Sequence, residues 1–219
     1  MARSILNSSQ RNILRLLSTN RLFNNNFYLT GGTALAEYYL HHRLSEDLDF
    51  FSETEIDKIW LNALAKEMSR IVKAEKKDIQ ESFHRNLIFF TLDKKIIKTE
   101  FTYFPFPQIE KCRVISGISV DSLMDIAVNK FFTIYQKPSA RHFIDLYLVL
   151  MKEKIHWKEL QKLARIKFDT HIDLIQLGSQ LVKAETIMDL PRMIMKLPEK
   201  TWRSYFITKA KELKSKIAK

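Results

Sequence analysis

Two aspartates separated by a single residue, Asp47 and Asp49, are the clearest indication of chemistry in this sequence. Side chains two residues apart in a strand point to the same face, so these carboxylates project together while Leu48 points into the core. Neighbouring carboxylates repel each other unless a cation neutralises them. The pair therefore favours a hard divalent cation, Mg²⁺ first and Mn²⁺ second, over the alternative of exposed carboxylates at a strand end.

An adjacent pair of glycines, Gly31 and Gly32, precedes the aspartates by one predicted helix and accounts for half of the four glycines in the chain. A strand that ends in two glycines at a helix N-terminus lets backbone N–H groups approach a phosphate closely, and Thr33 can add a hydroxyl. A lone glycine pair is usually only a turn. Combined with the aspartates in this order, it predicts phosphoryl or nucleotidyl transfer.

Glu100 is the best candidate for a third acid. It lies in a predicted strand in which Lys98, Glu100 and Thr102 form one polar face. Its expected role is that of a general base for the incoming hydroxyl, or of a third metal ligand.

These residues require a small set of elements to position them. We predict an α+β fold in which a mixed sheet, flanked by helices, is followed by a helical C-terminal half. The boundary is placed near residue 115, with 1–115 as the core and 116–219 as a helical domain closing the nucleotide cleft. The predicted strands are 27–30, 47–51, 87–92 and 96–103, the last two joined by a turn at Asp93-Lys94-Lys95, and the helices are 33–40, 55–73 (capped by Ser52 or Thr54), 121–136 and 139–152.

Composition limits the class of protein. Of the 219 residues, 46% are apolar, yet no run approaches the roughly 18 apolar residues of a membrane span, so no membrane partner is expected. The single cysteine, Cys112, excludes an internal disulfide and favours a reducing cytoplasm.

The net charge of +11 is distributed unevenly along the chain, because 151–219 holds 16 basic and 8 acidic residues. This indicates either a polyanionic partner or a solvated lysine-rich surface.

Several segments are similar to one known family. They are Leu29-Thr30-Gly31-Gly32-Thr33-Ala34-Leu35, His42-Arg43-Leu44-Ser45-Glu46-Asp47-Leu48-Asp49-Phe50-Phe51, Asp125-Ile126-Ala127-Val128-Asn129-Lys130 and Arg141-His142-Phe143-Ile144-Asp145-Leu146-Tyr147. The chain resembles the AbiEii/AbiGii toxin family, within the nucleotidyltransferase superfamily that shares a polymerase-β-like core. The resemblance covers about residues 27 to 152.

The resemblance implies a role for each matching residue. The aspartates Asp47 and Asp49 would hold Mg²⁺ or Mn²⁺, with Glu100 as third ligand, and Lys130 would contact nucleotide phosphate. Asp145 would orient that lysine, or the base and sugar. The expected nucleotide-binding residues are Gly31, Gly32, Thr33, Ser45, His42, Arg43 and Arg141.

Two positions depart from the family pattern. His142 replaces an acid that usually follows the arginine, and Glu100 replaces the more common aspartate.

Some of the matching residues also have a purely structural interpretation. Lys130 is by itself typical of a surface lysine, and His41 and His42 would equally suit a helix C-terminus. Asp145 lies in an apolar run and needs a partner, for which Lys130 or Arg141 would serve. The aromatic residues Phe131, Phe132 and Tyr135 are interpreted as packing.

The predicted reaction is transfer of a nucleoside monophosphate from an NTP to an acceptor hydroxyl, with release of pyrophosphate. The resemblance implies a toxin of a toxin–antitoxin or abortive-infection system, a cognate antitoxin and an RNA acceptor such as tRNA. The alternatives are a non-catalytic nucleotide- or RNA-binding module and a phosphotransferase that moves the γ-phosphoryl group. The basic residues expected to contact RNA are Lys152, Lys154, Lys158, Lys162, Arg165 and Lys167.

Overall fold

The computed structural model describes residues 4–93 and 95–217. The chain forms two compact units, one made of Met1–Pro107 with Lys111–Ser122 and one made of Gln108–Glu110 with Leu123–Lys219. The first unit contains the sheet, and helices dominate the second. No helix within the described ranges is long and apolar enough to cross a membrane. The predicted α+β class, with a mixed sheet and a helical C-terminal half, is confirmed.

Seven strands among the described residues form one mixed sheet. They are β1 (Tyr28–Thr30), β2 (Leu48–Ser52), β3 (Lys76–Ser82), β4 (Arg85–Leu92), β5 (Lys95–Tyr103), β6 (Arg113–Ile115) and β7 (Ile118–Val120). Their order across the sheet is β3-β4-β5-β2-β1-β7-β6. The pairs β2–β5 and β1–β7 are parallel, and the other neighbours are antiparallel. The sheet therefore places β2, which carries Asp49, directly between β1 and β5.

The four predicted strands are all present, and β4 begins two residues earlier than expected, at Arg85. The predicted hairpin is confirmed by the antiparallel register of β4 and β5, which runs from Arg85 opposite Thr102 to Leu92 opposite Lys95. Within the predicted turn, Lys94 lies outside the described residues, and Lys95 is not a turn residue but the first residue of β5. Strands β3, β6 and β7 were not predicted.

Helices of the first unit pack against an aromatic core. They are α1 (Ser8–Ser18), α2 (Arg21–Asn26), α3 (Gly31–Leu35, continued as a π-helix over Ala36–Leu40) and α4 (Lys58–Val72). Phe50 lies at the centre of this core, with its ring centroid 5.1 Å from that of Phe23 and 5.0 Å from that of Phe101.

The prediction that Ser52 or Thr54 caps α4 is wrong. Asp57 caps it, because its carboxylate accepts the N–H groups of the first turn, while Ser52 and Thr54 hydrogen-bond to each other.

Helices of the second unit surround a separate core. They are α5 (Leu123–Gln136), α6 (Ala140–Glu153), α7 (Trp157–Lys167), α8 (Leu174–Val182, followed by a 3₁₀ turn over Lys183–Glu185) and α9 (Glu199–Ile217). Phe143 packs against Trp202 and Phe206 of α9. The predicted packing role of the α5 aromatics is confirmed, because Phe131 and Tyr135 are buried and Phe132 stacks on Phe168 at 3.9 Å.

A buried ion pair crosses this core. Lys167 Nζ lies 2.6 Å from Asp125 Oδ1, and both side chains are almost fully buried. The Asp125 carboxylate also accepts the backbone N–H groups of Ile109 and Glu110, so it anchors the 108–110 segment to α5. The prediction that Lys167 belongs to an exposed basic surface is therefore wrong.

Candidate active site

Gly31 forms the sharp bend between β1 and α3. It has φ +73°, a left-handed conformation that favours glycine, and a β-carbon built there would lie 2.5 Å from Asp49 Oδ2. The preceding residue, Thr30, is held by a 2.6 Å hydrogen bond from its hydroxyl to Asp121 on the chain leaving β7. The bend is therefore rigidly supported on one side and closed by the Asp49 carboxylate on the other.

Gly32 is covered by two side chains that the sequence singled out. A β-carbon on Gly32 would collide with the guanidinium of Arg43 and would lie 3.1 Å from Ser45 Oγ. Thr33 donates its hydroxyl to the backbone carbonyl of Asp47. The structure thus gathers Gly32, Thr33, Arg43 and Ser45 around the same bend. Because the Thr33 hydroxyl is engaged with Asp47, its contribution in this state is to hold the aspartate segment.

The segment between the bend and β2 is also fixed from α1. Gln10, which is 1% exposed, donates its side-chain amide to the carbonyls of Ser45 at 3.3 Å and Glu46 at 2.9 Å. Gln10 was not predicted as a site residue, although its place on the apolar face of a strongly amphipathic helix is a signal for a buried polar role. His42 and Arg43 are likewise buried, and His41 occupies the left-handed C-cap position of the preceding helix.

The strand register places the carboxylates side by side. Asp49 of β2 lies opposite Thr30 of β1 and opposite Glu100 of β5. Leu48 and Phe50 are fully buried while Asp49 is partly exposed, so the predicted alternation along β2 is confirmed. Asp47, immediately before β2, is also partly exposed. The aspartates and Glu100 therefore belong to one polar region beside the glycine bend.

Two cations neutralise this polar region. Lys98 Nζ lies 2.9 Å from Asp47 Oδ2 and 3.8 Å from Glu100 Oε2. Arg85 donates from Nε and Nη2 to the two Glu100 oxygens, at 2.7 and 2.8 Å, and Thr102 donates its hydroxyl to Glu100 Oε1 at 2.8 Å. Lys98 was noted in the sequence as part of the polar face, whereas Arg85 was missed.

The pKa shifts follow from these contacts. Burial by itself would raise the pKa of Glu100, but the hydrogen bonds from Arg85 and Thr102 and the nearby positive charges outweigh it and lower that pKa. The hydrogen bond to Glu100 is the main cause of the raised pKa of Arg85, to which the charge of Asp49 also contributes. Glu100 is therefore held as a carboxylate, and its proton affinity is reduced.

The fit of a divalent cation can be tested against this arrangement. Among the described residues, no group of three His, Cys, Asp or Glu side chains is placed to hold a metal ion. Asp47 and Asp49 nevertheless suit a hard cation, because both are partly exposed carboxylates and Asp49 lies against the bend. Glu100 does not suit it as placed, because both of its oxygens accept hydrogen bonds and the residue is only 6% exposed.

The remaining predicted residues lie in the helical unit. Lys130 on α5 contacts Asp145 on α6, with 2.9 Å between Nζ and Oδ2, and the Asp145 side chain is fully buried. Of the two partners considered for Asp145, Lys130 is thus the one that pairs with it, and Arg141 is exposed near the start of α6. His142, which replaces the family acid, is half-buried.

The mixed sheet with Asp49 against the glycine bend has the nucleotidyltransferase fold, and solved structures share it. The nucleotidyltransferase toxin MenT4 from Mycobacterium tuberculosis H37Rv has a TM-score of 0.59 at 15% identity, over 94% of this chain and 82% of that one. JHP933 from Helicobacter pylori has a TM-score of 0.56 at 22% identity, over 96% of this chain and 90% of that one. At these identities the likeness establishes the fold.

The family follows from the sequence. Residues 15–214 match the family described as nucleotidyl transferase AbiEii toxin, type IV TA system, so this chain belongs to that family. An uncharacterised protein from Aquifex aeolicus, aq_aa25, is 33% identical over 165 residues, which are 74% of this chain and 75% of that one. The predicted family is confirmed.

Gly31→Ala should damage both the site and the fold. Alanine at this position would have to adopt the left-handed backbone conformation that glycine allows, and its β-carbon would displace Asp49. We therefore expect the free energy of unfolding to fall by about 1–3 kcal/mol. Urea unfolding measures this change. Gly178→Ala is the matched control, because a β-carbon at Gly178, inside α8, meets no atom within 4 Å, and this variant should be about 0.5–1 kcal/mol more stable. Equal effects at the two glycines would contradict the assigned role of Gly31.

Proposed function

We propose that this protein transfers a nucleoside monophosphate from an NTP to the hydroxyl of an acceptor, with release of pyrophosphate. The observation that carries the proposal is the contact between the Asp49 carboxylate and the Gly31 bend. In the transfer, a bond forms between the acceptor oxygen and the α-phosphorus, and the bond from that phosphorus to the β-phosphate oxygen breaks. The acceptor hydroxyl gives up its proton to solvent water, and the electron pair of the broken bond leaves with the pyrophosphate.

The residues at the bend have complementary tasks in this proposal. Backbone N–H groups of Gly31, Gly32 and Thr33 bind the triphosphate at the start of α3, where the helix dipole favours negative charge. Asp47 and Asp49 would hold Mg²⁺ or Mn²⁺, which when bound supplies positive charge to the phosphates and to the acceptor oxygen. Arg43 and Ser45 keep the bend closed against Gly32.

Lys130 and Asp145 extend the proposal to the helical unit. We assign Lys130 to nucleotide phosphate, since a buried lysine side chain held by a carboxylate has a fixed direction. Asp145 positions that ammonium at 2.9 Å, so it supports binding through Lys130. Arg141 and His42 stay predicted contributors to nucleotide binding.

RNA is the acceptor that we propose, on the evidence of a basic face of α7. Lys158, Lys162 and Arg165 line a cavity of about 820 Å³ that also includes His171. Its apolar part, formed by Ile166, Ile172 and Leu174, would accommodate a base, while the cations would contact backbone phosphates. As a type IV toxin family member, the protein would have a cognate antitoxin as its regulatory partner.

The basic face predicts the salt dependence of RNA binding. Replacing Lys158, Lys162 and Arg165 together by Gln should reduce the slope of log K against log salt concentration by about 2, since each lost phosphate contact removes roughly 0.7. Fluorescence titration of tRNA at several salt concentrations measures the slope. A matched control replaces three exposed cations of the α4 region, Lys66, Arg70 and Lys73, by Gln. If both triple variants changed the slope equally, α7 would not be the acceptor surface.

Nucleotidyl transfer is tested directly with labelled nucleotides. The protein is incubated with each α-labelled NTP, Mg²⁺ and total cellular RNA or protein, and in parallel with the γ-labelled nucleotides. The proposal predicts α-label on the acceptor and none of the γ-label. γ-Label on the acceptor would instead indicate a phosphotransferase, and no transfer of either label would indicate a non-catalytic nucleotide- or RNA-binding module.

A further inference from the structure

Arg85 is an exposed cation with a fixed direction beside the candidate site. Its side chain is 56% exposed, yet two of its five N–H bonds point to the two oxygens of a single carboxylate, Glu100, at 2.7 and 2.8 Å. A bidentate pair of this kind fixes both the position and the plane of a guanidinium. Its Nη1 group donates to none of the described residues, so three N–H bonds of Arg85 remain available to a ligand.

Glu100 has the features of a support for Arg85. The carboxylate is 6% exposed and accepts hydrogen bonds from Arg85 and Thr102, with Lys98 3.8 Å away. A carboxylate whose oxygens are already engaged has lost most of its capacity to accept a proton or to coordinate a metal ion. Glu100 is therefore placed to hold a neighbouring cation.

Arg85 lies near the residue that closes the glycine bend, by way of the Glu100 carboxylate that holds it. Asp49, which closes the bend at Gly31, is close enough to Arg85 to interact with its charge. Strand β2 places Asp49 opposite Glu100, the residue that holds Arg85. An anionic ligand seated on the bend beside Asp49 would thus meet a pre-oriented guanidinium.

From this geometry we infer that Arg85 binds the phosphates of the nucleotide at the bend, and that Glu100 is a positioning residue for Arg85 and not a metal ligand. The inference rests on the proposed function, because the ligand is the triphosphate of the NTP substrate. It assigns Glu100 a different role from the one that the sequence predicted, and it adds a residue that no motif indicated.

Nucleotide affinity tests the role of Arg85 without turnover. A non-hydrolysable NTP analogue, titrated calorimetrically in the presence of Mg²⁺, should bind Arg85→Ala about 10- to 100-fold more weakly than the wild type, because a charge-assisted contact is lost. Arg85→Lys should recover only part of the affinity, since an ammonium cannot form the bidentate pair. Arg15→Ala, an exposed arginine of α1, is the control and should bind normally. Normal binding by Arg85→Ala would overturn the inference.

Metal affinity tests the role of Glu100. With Mn²⁺ alone, followed by electron paramagnetic resonance, Glu100→Gln should keep its affinity within about 3-fold of the wild type, whereas Asp49→Asn should lose at least about 10-fold. Nucleotide binding by Glu100→Gln should nevertheless weaken, since Arg85 loses its fixed direction. A loss of Mn²⁺ affinity equal to that of Asp49→Asn would show that Glu100 is a ligand and would overturn the assignment.

The double variant Arg85→Ala/Glu100→Gln removes the risk that an uncompensated buried charge unfolds the protein. It should bind nucleotide as weakly as Arg85→Ala and bind Mn²⁺ as the wild type does.

The inference about Arg85 and the proposed nucleotidyl transfer can fail separately. If the wild type transfers label but Arg85→Ala binds the analogue normally, only the inference is wrong. If Arg85→Ala binds weakly but the wild type transfers no label, only the proposed reaction is wrong, and absence of nucleotide binding by the wild type would refute both.

Discussion

Asp49→Asn is expected to lower the rate of nucleotidyl transfer by at least ~10³-fold, which corresponds to several kcal/mol of lost charge stabilisation in the transition state. Asparagine has nearly the size of aspartate, so it can fill the space against Gly31 and beside Glu100. It lacks the negative charge that a divalent cation requires. The variant should therefore fold and lose its activity.

Initial rates with α-labelled NTP measure this effect, and urea unfolding checks the fold. Asp78→Asn is the matched control, because Asp78 is an exposed aspartate on edge strand β3 of the same sheet, and its activity should be unchanged. If Asp49→Asn kept its rate within about 10-fold of the wild type, the carboxylate pair would not be the centre of the chemistry.

Lys167→Met is expected to lower the free energy of unfolding by about 3–5 kcal/mol, because it leaves Asp125 as an uncompensated buried charge. Urea unfolding at pH 7 measures the change, with Lys162→Met, on the exposed face of the same helix, as a control expected within about 0.5 kcal/mol of the wild type. The double variant Asp125→Asn/Lys167→Met should recover part of the loss. A change below about 1 kcal/mol for Lys167→Met alone would refute a structural role of the pair.

The Asp125–Lys167 ion pair predicts that the free energy of unfolding depends on pH. Burial would raise the pKa of Asp125, but hydrogen bonds from the Ile109 N–H and Lys167 outweigh it, and the net pKa in the folded protein is lowered. A lowered folded-state pKa means that the stabilisation is complete above the unfolded value of about 4 and is lost as pH falls through the folded-state pKa. Acid protonates Asp125 and so removes the uncompensated charge in Lys167→Met, and the wild type loses the contribution of the pair over the same range. The difference in free energy of unfolding between the two proteins should therefore be largest at pH 7 and should narrow as the pH falls, which urea unfolding at a series of acidic pH values measures.

The elements that the sequence predicted are those with a strong apolar pattern. Strands β1, β2, β4 and β5 and helices α4, α5 and α6 were all predicted from buried runs or helical periodicity. Strand β3 was missed because its residues, Lys76-Lys77-Asp78-Ile79-Gln80-Glu81-Ser82, are mostly charged or polar and exposed, which is typical of a protected sheet edge. Strands β6 and β7 are three residues long, too short for periodicity to be recognised, whereas β1, of equal length, was predicted as a buried run directly before the glycine pair.

Pairs that depend on tertiary register were harder to predict. The grouping of Asp49 with the glycine bend follows from local order along the chain, whereas the Arg85–Glu100 pair depends on the β4–β5 register. The predicted three-residue turn, extended along both strands, would have placed Arg85 opposite Tyr103, one residue away from its observed partner Thr102. Lys167 was assigned to the surface by its charge, although its spacing from Leu160 and Ala164 places it on the buried face of α7.

A crystal structure with Mn²⁺ and a non-hydrolysable NTP analogue is the most direct test of the central claim. We expect an anomalous Mn²⁺ peak in contact with the carboxylates of Asp47 and Asp49, and the triphosphate against the backbone of Gly31, Gly32 and Thr33. Metal and nucleotide bound at any place away from these five residues would contradict it.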